Sequence, residues 1–256
     1  MKGPTQAELL QAAVVEAGVS LFHDAQHRAY ATFPLHGHVE TWPLRSADFR
    51  RFMAWLYFRA TGSVVRREVI AEQLEILHGK ALFEGHRQEV HVRVAPTDDG
   101  LILDLGGEDW SVIEITPAGW DWSPVSPVPL IRPAGMAELP TPERGGSIDL
   151  LRPFLNVADD DQFYLLVGYL VGCLHPSGPY AVLGIHGEQG AAKSTTMRVL
   201  RSLVDPRDAL DRTAPREERD LAVHASRNLI IALDNLSSLP EWLSDGLARL
   251  TDLRGV

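Results

Sequence analysis

The segment GIHGEQGAAKSTT, residues 184–196, constrains this chain more than any other. An apolar, partly β-branched run, YAVLGI (residues 180–185), leads into it, short enough for a buried parallel strand. Beyond it, Met197, Leu200 and Val204 fall on one helical face until Pro206 ends the pattern. Strand, glycine loop and helix in that order is what a phosphate-binding loop requires. Gly187 and Gly190 let the backbone turn tightly with its N–H groups facing inward, and a helix starting near Lys193 adds the positive end of its dipole. Lys193 has the reach for β- and γ-phosphates, and the Ser194 hydroxyl suits Mg²⁺. The expected nucleotide-binding set is therefore Gly187, Glu188, Gln189, Gly190, Ala191, Ala192, Lys193, Ser194 and Thr195, with ATP and Mg²⁺ as cofactors. Ala192 stands where the general pattern G-x-x-x-x-G-K-[ST] has its second glycine. A methyl group there is tolerable at near-helical backbone angles and costly if φ is positive.

A second element supports the first. NLIIALDN, residues 228–235, reads as a buried strand ending in an acid, Asp234, the form of a Walker B motif. Its distance along the chain from Lys193 leaves room for strand–helix–strand–helix–strand, and in such proteins that aspartate holds Mg²⁺. Ser194 and Asp234 are thus the expected metal ligands.

The spacing G-x-x-G-x-A-K-S resembles the Walker A variant of several AAA+ ATPases, including the MCM and MoxR groups. GEQGAAKSTTMRVLRSLVDP followed by NLIIALDNLSSLPEWLSDGLARL is similar to the ATPase region of phage- and mobile-element-encoded primase–helicase-like replication proteins, of AAA+ or superfamily 3 type. The likeness covers roughly Trp110 to Leu250 and is carried mainly by the two nucleotide motifs. It implies Lys193, Asp234 and Asn235 as catalytic positions. Asn235 departs from the family, where a glutamate commonly polarises the attacking water; an amide orients water but is a poor base near neutral pH. Glu241 is a distant substitute. After Asp234 the sequence holds one further helix, residues 241–253, and no sensor strand or arginine finger. The expectation is a C-terminally truncated core, with Arg249 and Arg254 either acting in trans or lying on a solvated helix face.

Upstream, helical patterns cover residues 5–18 and 66–78, Ser46-Ala47-Asp48 reads as the N-cap of a helix over RRFMAWLYFRA (residues 50–60), and residues 29–33 and 38–42 read as a hairpin. EVHVRVA, GLILDLG, WSVIEIT and GWDWS, parted by Asp-Gly, Gly-Gly and Pro-Ala-Gly turns, read as an antiparallel meander. PVSPVPLIRPAGMAELPTP resists helix and central strand alike and reads as a connection, with a ligand for an SH3-like partner as the other reading. The fold expectation is an α/β P-loop NTPase domain, an incomplete AAA+-like core, over residues 153–256. It follows an α+β N-terminal domain over residues 1–122 and a proline-rich connection over residues 123–152.

Composition bounds the rest. The 256 residues carry a formal charge of −10, so bulk electrostatics gives no support for binding DNA; only a local basic patch would. Arg50, Arg51, Arg59, Arg66 and Arg67 are the noticeable basic cluster, either a nucleic-acid path or a solvated helix surface. Trp110, Trp120 and Trp122 with Arg93 and Arg132 form either a stacking platform for single strands or ordinary packing. His23, His27, His36 and His38 lack the cysteines or HExxH of a metal site, and Asp159–Asp161 reads as a helix start. One cysteine, Cys173, no secretory leader and no apolar run near the roughly twenty residues that span a bilayer give a cytoplasmic reading without membrane contact. The expected partners are ATP, DNA (single-stranded or forked), and a second copy or a complementing C-terminal chain. Two functions follow from the resemblance and its departures: a helicase-like replication ATPase, or a nucleotide-binding adaptor with little hydrolysis.

Overall fold

The computed structural model describes residues 3–208, 215–234, 236 and 238–252. It divides into two compact units, one formed by Met1–His91 with Pro124–Ile131, the other by Val92–Ser123 with Arg132–Val256.

In the first unit, α1 (Gln6–Glu16) starts at a capping box in which Thr5 and Glu8 satisfy each other's backbone N–H groups. Strands β1 (Ser20–His23), β2 (Ala29–Leu35) and β3 (His38–Pro43) follow, then α2 (Ala47–Thr61), α3 (Arg67–Phe83) and β4 (His86–Arg87). The sheet order is β3-β2-β1-β4, antiparallel except for the β1–β4 pair. The expected hairpin is β2–β3, and its two-residue turn, His36 and Gly37, has φ of 50° and 92°, the positive pair a type I′ turn demands. Ser46 caps α2 by accepting from the Phe49 N–H, and Gly62 ends it at a left-handed φ of 69°. Leu10, Phe33, Phe49, Met53, Leu56, Leu74 and Leu77 make one core between the helices and the sheet. α3 runs past the expected end at residue 78, because GKALF continues the pattern and buries Ala81. The two short strands flanking the helices, β1 and β4, were not expected.

The second unit begins with the meander β5 (Val94–Pro96), β6 (Leu101–Asp104), β7 (Val112–Thr116) and β8 (Gly119–Ser123), antiparallel in sequence order as the turns predicted. A 3-10 helix (Ile148–Phe154) precedes α4 (Asp160–Cys173), whose N-cap Asp159 accepts from Gln162 N–H, the role expected of the acidic run. Then come α5 (Lys193–Val204), α6 (Glu218–Ala225) and α7 (Glu241–Asp252). Phe163, Leu166, Leu170, Leu200, Val204 and Ile230 form the core of the α4–α5 region. Among the described residues the segments 180–185 and 228–234 carry no strand, although both have a strand's apolar pattern. Their N–H groups go elsewhere: Tyr180 donates to the Thr251 carbonyl, and Leu229 and Ile230 donate to the Asp205 carboxylate. The short strand expected at residues 209–212 lies outside the described residues.

Candidate nucleotide site

The loop and the distant acid meet. Ser194, in the first turn of α5, donates its hydroxyl to Asp234 Oδ1 at 3.0 Å. That contact joins the two motifs the sequence paired only by pattern. It places two hard oxygen ligands side by side, the donor type Mg²⁺ prefers.

The loop itself is exposed from His186 to Gly190 and closes on its own carbonyls. Ala191 N–H donates to Glu188 O at 3.2 Å, and the Lys193 ammonium donates to Gly187 O at 2.8 Å and Glu188 O at 2.7 Å. Lys193 therefore lies folded over the loop that it would use to hold phosphate. Gly190 has φ +87°, which favours glycine there, and a Cβ on Gly187 would stand a tight 3.2 Å from Ala191 Cβ. Asn156 Nδ2 reaches Ala191 O at 3.3 Å and tethers the loop from outside. A lone asparagine ahead of α4 carries no sequence signal for that role.

Ala192 resolves the question its methyl group raised. It is the N-cap of α5 with φ 58° and ψ 22°, the left-handed region in which a Cβ is unfavourable. It also brings no side-chain acceptor, and the first turn of α5 contains no acid. Other described helices begin with a side-chain cap, an acid or both: Thr5 and Glu8, Ser46 and Asp48, Glu68, Asp159 and Asp160, Glu218, Glu241. The donors and dipole at the start of α5 therefore meet neither a side-chain cap nor a first-turn acid. Glu188, Gln189 and Thr195 are exposed around this point, while Asn235 and Arg254 lie outside the described residues. Arg249 pairs with Glu218 at 2.8 Å, within its own unit.

The residues weighed for other chemistry fall into place. Arg93 is fully buried and donates to the Asp104, Ala137 and Pro206 carbonyls, so it belongs to no stacking platform. Burial pushes its pKa down from the ordinary arginine value, against the opposing pull of Asp205 and Asp104. Arg132 covers the Trp110 ring at 4.0 Å and pairs with Asp104 at 2.6 Å, and Arg144 covers Trp120 at 4.5 Å, so those faces are already occupied. No histidine, cysteine or acid cluster fit for a metal ion occurs among the described residues. His23 and His27 stack with ring centroids 5.8 Å apart, and His23 Nδ1 bonds Ala81 O. Burial raises the Cys173 thiol above its ordinary value, which leaves it a packing residue. No described helix is long and apolar enough to cross a membrane.

No curated protein and no solved structure matches this chain. Residues 148–252 match the family model described as the actinomycete integrative conjugative element replication protein. Over that stretch, which contains the loop, α5 and Asp234, the chain is similar to a replication protein of a mobile element.

Proposed function

We propose that the second unit binds ATP with Mg²⁺ and serves DNA replication of a mobile element as a helicase-like P-loop ATPase. The observation that carries the reading is the 3.0 Å hydrogen bond between Ser194 and Asp234, which brings together the hydroxyl and the carboxylate that the two sequence motifs paired by pattern. Residues 187–195 would hold the triphosphate: the glycines admit the backbone, the start of α5 supplies donors, and Lys193 exchanges its two loop carbonyls for phosphate oxygens. Ser194 and Asp234 would hold Mg²⁺, which neutralises charge on the β- and γ-phosphates. The similarity over residues 148–252 supports the replication setting.

For DNA, the first unit offers a local patch. Residues 49–67 contain five arginines and no acid, in a chain whose acids outnumber its bases. Arg51, Trp55, Phe58 and Arg59 share the exposed face of α2, and the Arg59 guanidinium lies 4.9 Å from the Trp55 ring centroid. Cation and aromatic together suit a single strand's phosphates and bases. Asp48, which pairs with Arg51 at 2.7 Å, partly offsets the charge.

A second reading, a nucleotide-binding adaptor that hydrolyses little, is favoured by Asn235 standing where a catalytic glutamate is common. Fluorescent-ATP binding that Lys193→Ala abolishes is the expected result, and its absence in a folded chain refutes both readings. DNA-stimulated ATP turnover then separates them, since an adaptor shows none.

A further inference from the structure

We propose that Asp205 is a positioning residue that fixes where Asp234 lies along α5. The inference rests on reading Ser194 and Asp234 as the Mg²⁺–nucleotide ligands.

The segment 228–234 is fastened to α5 at both ends. At the C-terminal end of the helix, Arg201 Nη2 donates to Asn228 Oδ1 at 2.8 Å. Asp205, the C-cap, accepts the Leu229 and Ile230 N–H groups on Oδ2 at 3.0 and 3.2 Å. At the N-terminal end, Ser194 meets Asp234 at 3.0 Å. Eleven residue rises separate Ser194 from Asp205, about 16.5 Å, and the four residue steps from Ile230 to Asp234 reach at most about 13–14 Å, so the Asp205, Asp234 and Ser194 side chains supply the remainder.

A slip of one residue along this segment would move Asp234 by up to about 3.8 Å, more than the length of its hydrogen bond to Ser194. Without a strand ladder over residues 228–234, the Asp205 carboxylate takes up the N–H groups that a ladder would otherwise hold in register. The carboxylate is enclosed by charge: Asp205 is fully buried, and its other oxygen, which accepts no hydrogen bond among the described residues, faces Arg93 Nε at 3.7 Å and Arg207 Nε at 3.9 Å. Arg93 is anchored through its other nitrogens to the Asp104 and Ala137 carbonyls, so the meander supports the clamp.

The test is equilibrium binding of fluorescent ATP to the full chain, with and without Mg²⁺, for wild type and Asp205→Asn. The asparagine keeps an acceptor and the volume but loses the charge that Arg93 and Arg207 enclose. The expected result is at least a tenfold loss of the affinity gained on adding Mg²⁺, with Mg²⁺-free affinity within about twofold of wild type. Leu221→Ala, in the core but away from the clamp, controls for lost stability and should keep the Mg²⁺ gain. If Asp205→Asn does not fold, Asn228→Ala removes a single clamp and should show the same pattern at a few-fold size.

Wild type that gains nothing from Mg²⁺ would refute the nucleotide site and the inference with it. Wild type that gains, with variants that gain equally or that lose both affinities together, would overturn the positioning role and leave the site standing.

Discussion

Replacing Ala192 by glycine should stabilise the second unit, because glycine suits both a helix N-cap and a left-handed backbone. Ala192 holds φ 58° and ψ 22°. An L-residue with a Cβ in that region costs roughly 1–2 kcal/mol, which glycine avoids. Glycine also enlarges the freedom of the unfolded chain, a cost of about 0.4–1 kcal/mol. The difference is a net gain of roughly 0.5–1 kcal/mol, or about 1–4 °C in Tm for a unit of this size. The neighbouring Ala191, which has no positive φ, supplies the comparison. There the same change carries only the entropic term and should destabilise by about 0.5–1 kcal/mol. Scanning calorimetry of wild type, Ala192→Gly and Ala191→Gly reads the contrast directly. Equal destabilisation by both variants would refute the left-handed assignment and the strain argued from it.

Three further outcomes are expected. In the first unit, burial alone would raise the Asp24 carboxyl, but the Arg28 backbone N–H and guanidinium and the Tyr30 hydroxyl outweigh it and hold it below the usual aspartate range. A depressed folded pKa contributes stability that is complete above the unfolded value near pH 4 and is lost as pH falls through the folded value. Asp24→Asn should therefore cost about 2 kcal/mol at pH 7, an effect that shrinks in acid, measured by urea unfolding at both pH values. Cys173, its thiol raised by burial, should react with iodoacetamide at pH 8 more slowly in the native chain than in urea; equal rates would contradict its packing role. On the face of α2, Arg59→Ala should weaken binding of a fluorescent single-stranded oligonucleotide and flatten its salt dependence, and an unchanged isotherm would remove that patch from the account.

What the sequence made legible is what local chemistry encodes. Ser46 ahead of an apolar face announces its helix because caps act within one turn, and α1 is legible from the helical spacing of its apolar residues. The His36–Gly37 turn and the meander follow from turn residues between alternating runs. The short strands β1 and β4 escaped because so few residues show no period, and they pair across a stretch of sequence that holds β2, β3, α2 and α3. The apolar runs at 180–185 and 228–234 read as strands, yet pattern does not say which partner receives a backbone N–H; Asp205, far away in sequence, takes two of them.

The candidate site divides the same way. Lys193, Ser194 and Asp234 were legible as motif positions, while Asn156 and Asp205 were not, since each acts through a contact formed only in the folded chain. Arg93 shows the limit most clearly: the sequence left it between a stacking platform and ordinary packing, and it is fully buried, bonded to the Asp104 and Ala137 carbonyls and facing Asp205.

The central claim is that Ser194 and Asp234 form one Mg²⁺–nucleotide site, and a double-mutant cycle tests it most directly. The quantity is the gain in ATP affinity on adding Mg²⁺, measured for wild type, Ser194→Ala, Asp234→Asn and the double variant. The account predicts that each single change removes most of that gain and that the double removes no more, because both act on one ion. Independent, additive losses, or a Mg²⁺ gain that survives Asp234→Asn, would contradict it.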